Sequence, residues 1–163
     1  MFAILKFRPS LPKDVDRQLE ETAQRLLSPA WLEQPDAEGH FPTNGDRFAA
    51  QELTKRQDAE RFTRMGFILQ AIAAGWHHKS AQELEVLGDK IGRRRIQVIH
   101  GKLDQQITYP HGQLLAQFLG GEEQGITFIS VDDKAHALHI EWRRNLTKAV
   151  ATLIEKVEAM SNR

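Results

Sequence analysis

Seven histidines and twenty-two carboxylates are the groups with which this 163-residue chain could do acid–base or metal chemistry. Their spacing is poor for a metal. His77 and His78 are adjacent, so on a helix end they point about 100° apart. His136 and His139 stand three apart in an alternating segment that predicts a strand, and there they face opposite ways. His139 and Glu141 fall on one face of that strand and could share an ion or work as an acid–base pair, but no third ligand accompanies them. Histidines so placed are mostly surface or hydrogen-bonded groups, and no metal or cofactor is implied. The chain has no cysteine. That removes a thiol nucleophile, a thiolate zinc site, an iron–sulfur cluster and a disulfide scaffold, and it fits a reducing compartment. P-loop, G-x-G-x-x-G, G-x-S-x-G and H-E-x-x-H patterns are also missing, which leaves only an active site assembled from scattered residues.

Cationic side chains offer a second chemistry, the capture of anions. Lys and Arg balance Asp and Glu at 22 each, so no global field draws the molecule to a polyanion. The balance is local: residues 12–39 are acidic and 40–111 basic. Arg143 and Arg144 precede a C-terminal helical stripe and Lys148 lies in its first turn, where the helix dipole disfavours bases. Backbone N–H groups with added arginines are what a phosphate or carboxylate would use. A second cluster, Arg93-Arg94-Arg95 with Lys102 at the hairpin tip, would put Arg93 and Arg95 on the wet side of a hairpin beside Gln97, Gln106 and Thr108. Such a ribbon could lie along nucleic acid, arginines on phosphates and amides on base edges. Solvated charges or ion pairs within the fold account for the same residues without any ligand.

The elements that must position these groups are set by period and punctuation. Phe2–Arg8 reads as a strand ended by Pro9. Pro12 starts a helix with the stripe Val15, Leu19, Ala23, Leu26, Leu27. Ser28–Asp46, rich in Pro, Gly and small polar residues, reads as a surface loop anchored by Trp31, Leu32 and Phe41. Asp46–Ala74 reads as helical, yet at about 43 Å it outruns a globule of this size. It must protrude or break, and its weakest stretch is Thr54–Glu60. Ser80-x-x-Glu83 is a capping box for the next helix, which Gly92 ends. The period then becomes two. Arg94–His100 and Leu103–Tyr109 around Gly101-Lys102 predict a hairpin, and Ile126–Val131 with His136–Trp142 a second. A short helix is expected over 111–120, and a final one over Asn145–Met160.

Together these predict one α+β domain over 1–163: a small antiparallel sheet, two hairpins plus an N-terminal strand, packed with four to five helices. No run reaches the roughly 18 apolar residues of a membrane span, and a cytoplasmic protein without a membrane partner is expected. The function expected is that of a non-catalytic accessory module binding nucleic acid or another polyanion through Arg93, Arg95, Lys102, Arg143, Arg144 and Lys148. The alternatives are a protein–protein adaptor or homodimer subunit, using the 28–46 loop, and a small enzyme of histidine and carboxylate.

Overall fold

The computed structural model describes residues 13–58, 60–61 and 63–161. The strand expected over 2–8 lies outside them. The chain groups into two compact units, divided at Gln24 and His78, with Arg25–Ser28 joining the second.

In the first unit, helix α1 (Lys13–Leu26) opens on Asp14 and Asp16, which suit the positive end of its dipole, and buries Leu19 and Ala23. The segment expected to be a surface loop is partly helical: α2 (Pro29–Glu33) buries Trp31 and Leu32. Asp36 holds the turn beyond α2. Its carboxylate accepts the backbone N–H groups of Glu38, His40 and Phe41 and pairs with Arg47 at 3.2 Å. Helix α3 (Asn44–Gln57) starts at Thr43, whose hydroxyl oxygen accepts the Asp46 N–H. The long helical stretch does break. α4 (Arg64–Trp76) begins afresh, capped by Thr63, just beyond the stretch expected to be weakest.

In the second unit, α5 (Ala81–Ile91) opens on the Ser80–Glu83 capping box. A 3₁₀ turn over Arg93–Arg95 leads into β1 (Gln97–Gly101). Helix α6 (Tyr109–Phe118) then crosses back to β2 (Thr127–Val131), and α7 (Leu138–Glu141) and α8 (Arg143–Ser161) complete the unit. Val98, Ala116, Leu119 and Ile126 form its buried cluster, with Leu84, Ile96 and Phe128 packed on it.

The sheet departs from expectation. β1 and β2 pair parallel, Gln97 beside Thr127 through Gly101 beside Val131, and they are the two strands found among the described residues. The protein is mostly helical, and neither predicted hairpin forms. Local capture explains both failures. After Gly101 the Asp104 carboxylate accepts the N–H groups of Gln106 and Ile107, turning the chain into α6 instead of back along β1. After β2 the Ala137 N–H bonds the Leu26 carbonyl, and the chain coils into α7, so Leu138, Ile140 and Trp142 alternate in sequence without forming a strand.

Candidate active site

Parallel strands deliver the residues just beyond them to the same end of the sheet, where ligands of α/β structures bind. Asp104 comes three residues after β1 and His136 five residues after β2. Their side chains meet: His136 Nδ1 lies 2.9 Å from Asp104 Oδ2. Asp104 is 8% exposed, and its other oxygen accepts the two backbone N–H groups that turn the chain, at 2.8 and 2.9 Å. A carboxylate engaged in this way only accepts, so it selects the His136 tautomer carrying hydrogen on Nδ1. Nε2 then holds the lone pair. No hydrogen bond among the described residues engages that nitrogen, and the side chain is 35% exposed.

The loop bearing His136 is fixed on both sides. Ala135 donates its N–H to Glu141 Oε1 at 3.0 Å, and Ala137 donates to the Leu26 carbonyl at 2.9 Å. Buried Glu141 also accepts the Ser28 N–H at 3.1 Å and the Ser28 hydroxyl. The end of β1 is pressed against the same loop. Leu103 N–H reaches the Lys134 carbonyl at 3.0 Å, and a Cβ on Gly101 would collide with the carbonyl oxygens of Lys134 and Ala135. Glycine there is what lets the two strand ends approach. His100 walls the pair: its Nε2 is 3.8 Å from Asp104 Oδ2, its Nδ1 bonds the Gly101 carbonyl, and its ring packs edge-on to Tyr109.

The residues singled out for anion binding fall elsewhere. Arg93 is tied into the fold: Nε bonds the Leu119 carbonyl, and the guanidinium holds Asp89 at 2.9 Å and the Gln124 side chain. Arg95 is exposed, 3.5 Å from the Ser161 hydroxyl at the far end of α8. Lys102 pairs with Asp132 at 2.7 Å, and that bond and charge hold its ammonium above the ordinary lysine value. Arg143, Arg144 and Lys148 are exposed on the first turns of α8 without a carboxylate partner among the described residues. From Lys148, the nearest of the three along the helix, 13 residues of α8, about 20 Å, run to Ser161, where Arg95 lies. The structure therefore does not gather these cations into one patch.

Comparison with protein-family models, curated proteins and solved structures finds no match.

Geometry alone therefore identifies the site. His139 and Glu141 do not converge, because α7 replaces the expected strand: two apart on a helix they diverge by about 200°, His139 outward and Glu141 into the buried bonds to Ser28 and Ala135. Among the described residues no three His, Asp or Glu side chains are grouped to hold a metal ion. The pair that does form, Asp104 with His136, was not singled out in the sequence, which placed Asp104 on the wet face of one predicted hairpin and His136 at the start of a strand of the other. A buried carboxylate behind an imidazole with one free nitrogen is equipped to take a proton from a hydroxyl and return it.

Proposed function

We propose that Asp104 and His136 are the acid–base half of a hydrolytic site that cleaves an acyl ester by way of a hydroxyl nucleophile. The 2.9 Å contact between His136 Nδ1 and the buried Asp104 carboxylate carries this reading. His136 Nε2 would take the proton as the hydroxyl oxygen attacks the acyl carbon and give it to the departing alkoxide as the ester bond breaks; a water deprotonated by the same nitrogen would then attack the acylated hydroxyl, release the acid and restore the hydroxyl. Asp104 would hold the ring and stabilise the imidazolium through its hydrogen bond to Nδ1. Carboxylate before histidine in the chain, each just beyond the end of a parallel strand, matches the order in α/β-hydrolases, whose nucleophilic serine precedes both. Among the described residues no hydroxyl bonds Nε2. Zero cysteines support work in a reducing compartment, the cytoplasm.

Hydrolysis of p-nitrophenyl butyrate tests the proposal. His136→Ala and Asp104→Asn should each lower the rate by about 100-fold or more, the usual worth of a positioned base. Equal rates in wild type and His136→Ala, or a wild-type rate no greater than that of free imidazole at the same concentration, would overturn it.

Arg143, Arg144 and Lys148, exposed and without a carboxylate partner among the described residues, favour a second reading, in which the start of α8 holds a phosphate of nucleic acid or another polyanion. Fluorescence polarisation with labelled oligonucleotides at low salt tests it. Binding that survives removal of all three charges would count against it.

A further inference from the structure

A strand pair has two faces, and the core of the second unit uses one of them. Val98 and Phe128 pack in the buried cluster, whereas Gln97, Thr127 and Ile129 lie on the other side of the sheet. Parallel strands are ordinarily covered on both faces. Here α8 lies over the second face, held near its start by α7 and near its end by the 3₁₀ turn over Arg93–Arg95. Between these two ends it leaves a groove of about 380 Å³ against the sheet, within the range of small-molecule sites. Asn145, Lys148, Ala149 and Thr152 recur at helical spacing and line the groove from α8, with Trp142 at the foot of the helix.

The polar groups on these walls are not used by the fold. The side chains of Gln97, Thr127, Trp142, Asn145, Lys148 and Thr152 make no hydrogen bond or ion pair with any described residue. No Asp or Glu lines the groove. Along the chain the nearest acids are Glu141, turned inward to Ser28 and Ala135, and Glu155, about two turns beyond Lys148. A segment of protein core would ask for aliphatic walls, and residues 1–12, with Lys6 and Arg8 and no carboxylate, would bring Lys148 no anion. Two carboxamides, two hydroxyls, an indole and one ammonium suit a nucleotide instead. A carboxamide sets donor beside acceptor, as a base edge does, an aromatic ring stacks on a base, and an ammonium meets a phosphate.

We propose that the groove between α8 and the sheet binds a nucleotide unit, a base with its sugar and one phosphate. The base lies against Trp142 and Ile129, with Gln97 and Asn145 on its edge and the hydroxyls of Thr127 and Thr152 toward the sugar. Lys148 takes the phosphate, with Arg144 one turn before it on the helix. A free nucleoside monophosphate and one nucleotide of a single strand carry the same groups, whereas a duplex keeps its bases stacked inside. The proposal is independent of the histidine–aspartate pair. It deepens the reading of the start of α8 as a phosphate site, with which it shares Lys148, by adding the place for the base.

Titration of the full chain with adenosine monophosphate, followed by tryptophan emission, tests the proposal, with adenosine and a short single strand of deoxyadenosines as comparisons. Emission should be quenched to saturation, and Trp142→Phe should abolish the quenching although Trp31 and Trp76 remain. Lys148→Ala should weaken adenosine monophosphate about tenfold and leave adenosine unchanged, because only the phosphate contact is lost. Ala149→Phe, which puts a ring into the groove, should weaken both ligands. Asn145→Ala, at an exposed position, should do so too with an unchanged circular dichroism spectrum. A single strand bound more tightly than adenosine monophosphate would name the strand as the source of the nucleotide, and equal affinities the free nucleotide. No saturable response to either ligand would overturn the proposal, as would a response that both Ala149→Phe and Asn145→Ala retain. A single strand that keeps its affinity in those two variants but loses it without Arg143, Arg144 and Lys148 would leave the phosphate site standing and remove the groove.

Discussion

An imidazole works as a base when one nitrogen is held and the other left free, and every contact around His136 serves that division. Asp104 spends one oxygen on the ring and the other on two backbone N–H groups, so it has no freedom to swing away. Glu141 acts one step further out. It never touches the imidazole, but it anchors Ala135, the residue before His136, to Ser28. Glu141→Ala would leave buried donors unpaired and should cost roughly 2–5 kcal/mol of stability, measured as a fall in the urea midpoint at constant m. Glu141→Gln keeps an acceptor and should cost less. In the sequence Glu141 looked like a candidate for chemistry and Asp104 like one polar residue of a hairpin. Their roles are reversed because side-chain direction depends on whether the backbone alternates or coils, and at 136–142 it coils.

Among the elements, those defined by their own ends were legible and those defined by a partner were not. The Ser80–Glu83 box forms as its spacing requires, since both bonds lie within one turn. The Ser80 backbone N–H, together with Lys79 and the Ser80 hydroxyl, pulls the Glu83 carboxyl from its usual 4.5 down to about 2. A depressed folded value means the cap's stabilisation is complete above the unfolded value and disappears as pH falls through about 2. Amide exchange at the start of α5 should therefore be slower in wild type than in Glu83→Ala at neutral pH, and the two should converge near pH 2. The strands behave differently. β1 and β2 were both recognised as strands, but each was assigned a neighbour in sequence when its true neighbour is the other, across α6. Gly101 records the consequence, and it was read only as a turn residue. Gly101→Ala should destabilise the fold by roughly 1–3 kcal/mol, because the methyl group meets backbone carbonyls that cannot move aside. Thermal unfolding would measure this, and ester hydrolysis should fall along with stability.

For the molecule as a whole, zero net charge conceals how the charges are distributed in space. Arg93 faces inward to the Leu119 carbonyl and Asp89, Lys102 to Asp132, and the exposed arginines of α8 lie at the opposite end of that helix from Arg95. Any oligonucleotide binding should therefore involve few phosphates. The logarithm of affinity should fall by less than about 3 per decade of salt, and Arg143→Ala with Arg144→Ala should flatten that slope further. Arg93→Ala should leave the slope unchanged and lower stability instead. Short-range information in the chain was enough for most of the helical stretches, for the weak point of the long helical segment though not for its breaking, for the capping box and for the lack of thiol chemistry. Each of these depends on residues within a turn or two of one another, or on composition. Long-range packing alone settled that the strands run parallel and that Asp104 meets His136 across 32 positions. Those outcomes depend on which distant segments exclude water together, and hydrophobic period specifies that a face is buried without specifying what buries it.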